Sequence, residues 1–411
     1  MNEDSIIKKG ENKIFWANQH MPVIKKIQVN FEKEKPLKGI KIAMALHIEA
    51  KTAVLVKTLV LGGAKVFISG CNPLSTQDDI VLSLNKINNI FCYAKKGCSI
   101  EEYYEYLNKV LDCNPDIIID DGADLISIIH KSRTEILNDI RGCCEETTTG
   151  VNRLISMNKN NQLKLGVFAV NNAKTKYLFD NRYGTGQSVL NSIMTTTNML
   201  IAGKKIIICG YGWCGKGIAK RAFGLGGIVY ITEVDSFCAL EAVMDGYHVI
   251  TIDEASKIGD IFITATGNIN VINKNHFKNM KNGAILSNAG HFNVEINVSE
   301  LECLSSSKRV VRDNIKEYCI YNKKIYLISD GRLINLAAGD GHPIEVMDLS
   351  FSNQALCTEY ISSKKLGIGI FDVPKNIDKY IANLKLESMN IKIDRLTKEQ
   401  FNYLNNWNNG T

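Results

Sequence analysis

Lys205-Ile-Ile-Ile-Cys-Gly-Tyr-Gly-Trp-Cys-Gly-Lys-Gly217 is the stretch on which the fold is read. Its apolar run is too short for a helix and reads as a buried strand, after which Gly210, Gly212 and Gly215 stand at G-x-G-x-x-G spacing. The first glycine permits a tight turn, the second lets backbone approach a pyrophosphate, and the third lets helix and strand pack closely. A helix running to about Gly224 would then aim its free N–H groups at the phosphates. Glu233 ends the next apolar run, Ile228–Thr232, where an acid accepts from the adenosine ribose hydroxyls. Val234-Asp235-Ser236 carries no base for a 2′-phosphate, so NAD is expected rather than NADP. Thr264-Ala-Thr266-Gly267-Asn268 closes another strand of the same unit and is placed on the ligand edge.

Outward from this unit the chain alternates short apolar runs with amphipathic stretches, the pattern of parallel α/β sheets. Strands are expected at Ile40–Leu46, Ala64–Ser69, Asp116–Asp120 and Leu163–Val170, with a helix at Thr52–Leu61. Further strands are expected at His248–Ile252, Ile261–Ala265 and Ala284–Ser287. The expected fold class is therefore α/β, with two doubly wound units in 411 residues. Hydrophobic residues at 45% and charged residues at 22% exclude wholesale disorder. A net charge of +6 without a basic stripe points away from nucleic acid, and no run reaches the roughly 18–20 apolar residues of a membrane span. The 12 cysteines show no CxxC and no zinc-site spacing, so reduced thiols, no metal and a cytoplasmic location are expected.

The first half carries polar residues at strand ends. His47 follows the first strand, Asp120-Asp121-Gly-Ala-Asp124 follows Ile117–Ile119, and Glu145-Glu146-Thr147-Thr148-Thr149-Gly150 forms a polar block. Crowded carboxylates shift one another's pKa or bind a cation. Lys176 and Asp180 are four apart and would share one helical face, which by itself reads as a surface ion pair.

Together these segments resemble S-adenosylhomocysteine hydrolase from about Lys38 to about Leu404. The matching motifs include Leu46-His47, Cys71-Asn-Pro-Leu-Ser75-Thr76-Gln77-Asp78-Asp79, Asp120-Asp121-Gly122-Ala-Asp124, Glu145–Val151, Thr175-Lys176 and Phe179-Asp180-Asn181. They continue with Ile201–Lys204, Gly210-Tyr-Gly212, Gly290-His291-Phe292, Gly331–Leu336 and Gly341-His342-Pro343. The resemblance implies NAD-dependent, reversible cleavage of S-adenosyl-L-homocysteine to adenosine and L-homocysteine. Oxidation of the ribose 3′-hydroxyl acidifies C4′, the thiol leaves by elimination, water adds, and the ketone is reduced again.

The resemblance places Lys176 and Asp180 at the 3′-hydroxyl and C4′ proton, with Asn181 supporting them and Glu146 on a ribose hydroxyl. His47 and Asp121 fall at the 5′ side, and His291 closes over the sugar. His342 and Gln77 approach the purine from opposite sides. Thr147, Thr148, Thr149 and Asn335 reach the nicotinamide end, and Gly210, Gly212, Gly215, Glu233, Thr266 and Asn268 complete the cofactor set. The resemblance further implies a substrate domain at 1–183 and 343–375, an inserted NAD domain at 184–342, and a C-terminal segment, 376–411, docking in a homotetramer.

Three departures stand out. The sequence stops at Thr411, short of the basic, aromatic tail that caps the neighbouring NAD site in longer members, so that capping is expected to be weaker or built otherwise. Cys238 replaces an Asn near the cofactor ribose. Glu49 and Lys51 stand where the family has Thr and Glu facing the purine. Lys51 donates to an O6 and Glu49 accepts from an N1–H, which suits S-inosyl-L-homocysteine. The two could equally neutralise each other, leaving adenine. A non-catalytic NAD-binding regulator and a plain NAD-dependent dehydrogenase remain as rival functions.

Overall fold

A computed structural model describes residues 2–408. The first sheet is entirely parallel and holds β1 (Lys41–Ala45), β2 (Lys65–Ser69), β3 (Ile90–Tyr93), β4 (Ile117–Asp120), β5 (Gly142–Glu145) and β6 (Gly166–Ala169). The second contains β7 (Lys205–Cys209), β8 (Ile228–Thr232), β9 (His248–Val249), β10 (Ile261–Thr264) and β11 (Ala284–Asn288), continued by β12 (Ser307–Arg312), β13 (Ile315–Ile320) and β14 (Lys323–Ile328). The last strand, β15 (Gly369–Asp372), returns to the first sheet beside β6. The orders are β15-β6-β5-β4-β1-β2-β3 and β12-β13-β14-β11-β10-β7-β8-β9. In the second sheet only β13 runs antiparallel to its neighbours.

The central strands are apolar because both faces are covered. Ile117-Ile-Ile-Asp120 and Ile261-Phe-Ile-Thr264 are buried at every position. In each sheet the chain winds outward from a central strand, β1 or β7, and then crosses back to the strand on its other side, β4 or β10. The crevices at these two reversals lie beyond the strands' carboxyl ends, where ligands bind in such sheets. His47 and Asp121 stand at the first reversal, Gly210 and Thr266 at the second.

Two local expectations change. The strand expected at His248–Ile252 stops at Val249, because Thr251 and Glu254 form a reciprocal capping box that starts a helix at Ile252. Lys176 and Asp180 do not share one regular helix: Lys174–Tyr177 is a single turn, and Asp180–Gly184 is a π-helical turn. Among the described residues no helix is long and apolar enough to cross a membrane.

Candidate active site

Both sheets open into one cavity of about 870 Å3. Its wall takes His47, Glu49, Asp121, Glu146, Thr147, Thr148, Thr149, Lys176, Asp180 and Asn181 from the first half. Gly210, Gly212, Glu233, Thr266, Asn268, His291, Asn335 and His342 line it from the second. Lys51, Gln77 and Gly215 are not on the wall. The Gln77 side chain, expected at the purine, accepts from Lys13 Nζ at 2.9 Å. Gly215 lies beneath the turn, where a Cβ would run into the Gly210 carbonyl.

Lys176 is the centre of one buried cluster. Its Nζ lies 2.6 Å from Asp180 Oδ2 and 3.6 Å from Glu146 Oε1, and donates to Asn181 Oδ1 (2.9 Å) and Asn171 Oδ1 (3.3 Å). The pair that reads as a surface bridge in sequence is almost wholly buried, Lys176 at 3% exposure. Burial would lower the Lys176 ammonium, yet Asp180 and Glu146 hold it above the usual lysine range. Burial would likewise raise Asp180, but His342 and Lys176 keep it below the usual carboxylate range. The pair is therefore charged on both sides. His342, expected beside the purine, turns its Nδ1 onto Asp180 Oδ1, while its Nε2 meets Thr185 Oγ1 at 3.3 Å. The turn at Gly341, with φ +74°, supports that direction. Glu146 accepts from Ser350 Oγ and, at 2.6 Å, from Gln354 Nε2.

A second cluster has the opposite character. His47 Nε2 is 3.4 Å from Asp121 Oδ2, and His291 Nδ1 is 3.7 Å from Asp121 Oδ1. Burial, then the neighbouring His291 and His342, pushes His47 well below the usual histidine range. Burial brings His291 down to about 4. Burial, then the Glu146 charge, drives Asp121 well above the usual carboxylate range. Burial therefore disfavours the charged form of all three, lowering both imidazoles and raising the carboxyl. Asp121 Oδ1 and His291 Nε2 are buried without hydrogen-bond partners. Ser75 Oγ (2.7 Å) and Cys71 Sγ (3.1 Å) sit on His47 Nδ1. Sequence spacing shows no metal motif, yet one donor atom each from His47, Asp121 and His291 lies within 4.8 Å of the others.

Ser75, Cys71, Asn171, Ser350 and Gln354 support these clusters; in sequence Cys71 and Ser75 stood in a matching motif without a role, and the other three were not singled out. For the last two a signal existed: the helix Ile344–Ser363 buries Ser350, Ser352, Asn353 and Gln354, an unusual polar load for buried positions.

At Lys51 the ammonium lies 2.5 Å from Glu49 Oε2 and donates to the Asp340 carbonyl at 2.7 Å. Burial raises Glu49, against the lowering pull of Lys51.

The cofactor end fits a dinucleotide. Gly210 has φ +98°, and a Cβ there would meet Ala265 O at 2.8 Å. At Gly212 nothing lies within 4 Å of the Cβ position, so its backbone faces open space at a helix start. Glu233 accepts from three backbone amides, those of Tyr211, Val234 and Asp235, and still lines the cavity. A carboxylate's roughly four acceptor positions leave one for a ribose hydroxyl. Asn335 Oδ1 is buried and unpartnered.

The chain matches the family model described as "S-adenosyl-L-homocysteine hydrolase, NAD binding domain" over residues 181–341. It matches the model "S-adenosyl-L-homocysteine hydrolase" over residues 2–137. It is 59% identical, over 100% of both chains, to a Methanosarcina mazei protein named S-inosyl-L-homocysteine hydrolase. A Methanocaldococcus jannaschii protein of the same name is 57% identical over 98% of each chain. An Archaeoglobus fulgidus protein named adenosylhomocysteinase is 54% identical over 98% of this chain and 100% of its own. With this likeness along the whole chain and a cavity that fits NAD beside one charged and one largely uncharged polar cluster, the chain belongs to the S-adenosyl-L-homocysteine hydrolase family, NAD-using hydrolases of small nucleoside thioethers.

Proposed function

We propose that the chain reversibly hydrolyses S-inosyl-L-homocysteine to inosine and L-homocysteine. The observation that carries the base assignment is the buried Glu49 carboxylate on the cavity wall with the Lys51 ammonium 2.5 Å behind it. A carboxylate facing ring nitrogen N1 accepts from the N1–H of hypoxanthine and repels the N1 lone pair of adenine. Lys51, off the wall, pairs with Glu49 from behind and favours its role as an acceptor. The names of the Methanosarcina mazei and Methanocaldococcus jannaschii relatives agree with this reading. The second reading, S-adenosyl-L-homocysteine, draws on Lys51 being withdrawn from the wall by the Asp340 carbonyl, so that Glu49 alone would receive the adenine amine.

Gly210, Gly212 and Glu233 would hold NAD, which would supply hydride transfer at the ribose 3′ position. The protein's part is to hold and move protons. The Lys176 ammonium faces the developing 3′ oxyanion, and Asp180 accepts the proton on that side. His47 and Asp121, whose charged forms burial disfavours, face the 5′ carbon, where a thiol leaves and water enters. Orphaned Asp121 Oδ1 and His291 Nε2 are the atoms free to meet substrate. We place the hinge between a substrate unit, 1–183 with 343–375, and a cofactor unit, 184–342, at residues 181–183 and 340–342. A homotetramer is supported by the exposed Phe401, Leu404 and Trp407 of the C-terminal segment, whose residues 409–411 lie outside the described ones. The 12 cysteines, all free thiols, support a reducing cytoplasm.

Thiol release from the inosyl and adenosyl compounds tests the base. The parent should favour the inosyl compound in kcat/KM by orders of magnitude, as sites that read a base edge do, and Lys51→Gln should shrink that ratio. A parent faster on the adenosyl compound, with Lys51→Gln leaving the ratio alone, hands the site to adenine. Thiol release accompanied by net accumulation of reduced cofactor would instead mark a dehydrogenase.

A further inference from the structure

Trp213 follows Gly212 directly and opens the helix Trp213–Gly224. It is on the cavity wall and 36% exposed. The Tyr177 ring centroid is 5.1 Å from its own, Lys216 Nζ lies 4.7 Å above the ring, and the Arg182 guanidinium lies 5.9 Å away. Tyr177 adjoins Lys176 in sequence, and Arg182 is two residues beyond Asp180. One indole therefore faces the cavity at the phosphate-binding turn and also packs on the segment that carries the charged pair. Backbone reinforces the same joint, since a Cβ on Gly217 would run into the Arg182 carbonyl.

A pyrophosphate at this turn lies at the helix N-terminus, next to the first helical residue. Of the two cations over the indole, Lys216 also pairs with Glu241 at 2.7 Å, and Arg182 is held at the joint, its main chain wedged against Gly217 and its guanidinium resting on the ring. We propose that Trp213 contacts the bound dinucleotide and transmits its presence, through Tyr177 and Arg182, to the placement of Lys176 and Asp180. Occupancy of the cofactor site then orders the acid–base pair, and Trp213 also covers the pyrophosphate from within the same chain.

The test uses holoenzyme and reads cofactor retention and reduction separately, neither of which depends on the purine. Trp213→Leu should release NAD during dilution about tenfold faster than the parent, the size of one lost cation–π and stacking contact. Trp213→Phe, which keeps a ring, should retain most of it. Arg182→Gln should hold NAD as the parent does yet reduce it about tenfold more slowly when substrate is added. In a Trp16→Phe/Trp407→Phe chain only Trp213 emits, and its fluorescence should fall as the resident cofactor is reduced, because the reduced nicotinamide absorbs where indole emits. Parent-like NAD release from Trp213→Leu, or an emission that ignores cofactor reduction, overturns the contact. If Trp213→Leu does not fold, NAD release from Trp213→Met decides the contact. Parent-like reduction in Arg182→Gln overturns the transmission.

Discussion

Lys176 and Asp180 keep opposite charges although burial disfavours both, because each supplies the other's partner and Glu146, Asn181 and His342 complete the set. The environment separates the two roles of this site, with a charged pair on one side and, on the other, the His47, Asp121 and His291 group, where burial disfavours charge. The division predicts distinct partial reactions. Lys176→Ala and Asp180→Ala should fold and retain NAD yet reduce it roughly 10²–10⁴-fold more slowly on mixing with substrate. His47→Ala should still reduce the cofactor while homocysteine release falls. Stopped-flow absorbance of the reduced cofactor and thiol titration read the two steps, and equal loss of both in all three variants refutes the division. In sequence the i, i+4 spacing of Lys176 and Asp180 was visible, but their burial was not, since it comes from the helix Ile344–Ser363 and the cofactor half of the chain.

Among the elements, the helix Trp213–Gly224 has the narrowest tolerance. Gly215 lets it approach β7, and Gly217 lets the π-helical turn Asp180–Gly184 rest on it. Gly217→Ala places a methyl against the Arg182 carbonyl, a backbone atom with little room to yield. We expect a loss of about 1–3 kcal/mol in thermal or denaturant unfolding, together with weaker NAD retention, because the joint and the phosphate turn share this helix. A variant with parent stability and parent retention would show that the turn can shift without cost. The glycine spacing of this element was legible from sequence, but what Gly217 makes room for, the Arg182 carbonyl, was not. The helix starting at Ile252 was not, since the apolar run through Ile250 and Ile252 looks like a strand until the Thr251–Glu254 box is recognised.

Across the whole molecule the two sheets meet where His291 of the cofactor half lies over Gly122 of the substrate half. Gly122 has φ +102°, and a Cβ there would stand 2.7 Å from His291 Nε2. Gly122→Ala should therefore strain its own loop and hold the cleft open. We expect kcat/KM to fall by about 10²-fold, the scale of an ångström's misplacement, with NAD still bound. Small-angle scattering should show the parent compacting when substrate is added and the variant failing to do so. Parent-like compaction and turnover would exclude this contact from closure.

Sequence alone determined what depends on local order: the apolar runs that become central strands, the glycines that turn a strand into a phosphate-binding helix, and Glu233 at the end of the next strand. Each of these follows from sterics or periodicity within about 30 residues. The tertiary structure decided which polar residues share an environment. It brought His47, Asp121 and His291 within 4.8 Å from positions far apart in the chain. It turned His342 onto Asp180, tied Gln77 to Lys13, and set Lys51 behind Glu49. Charge state and direction of a buried side chain depend on what the rest of the fold packs around it, and that information is spread over both sheets rather than written at the residue itself.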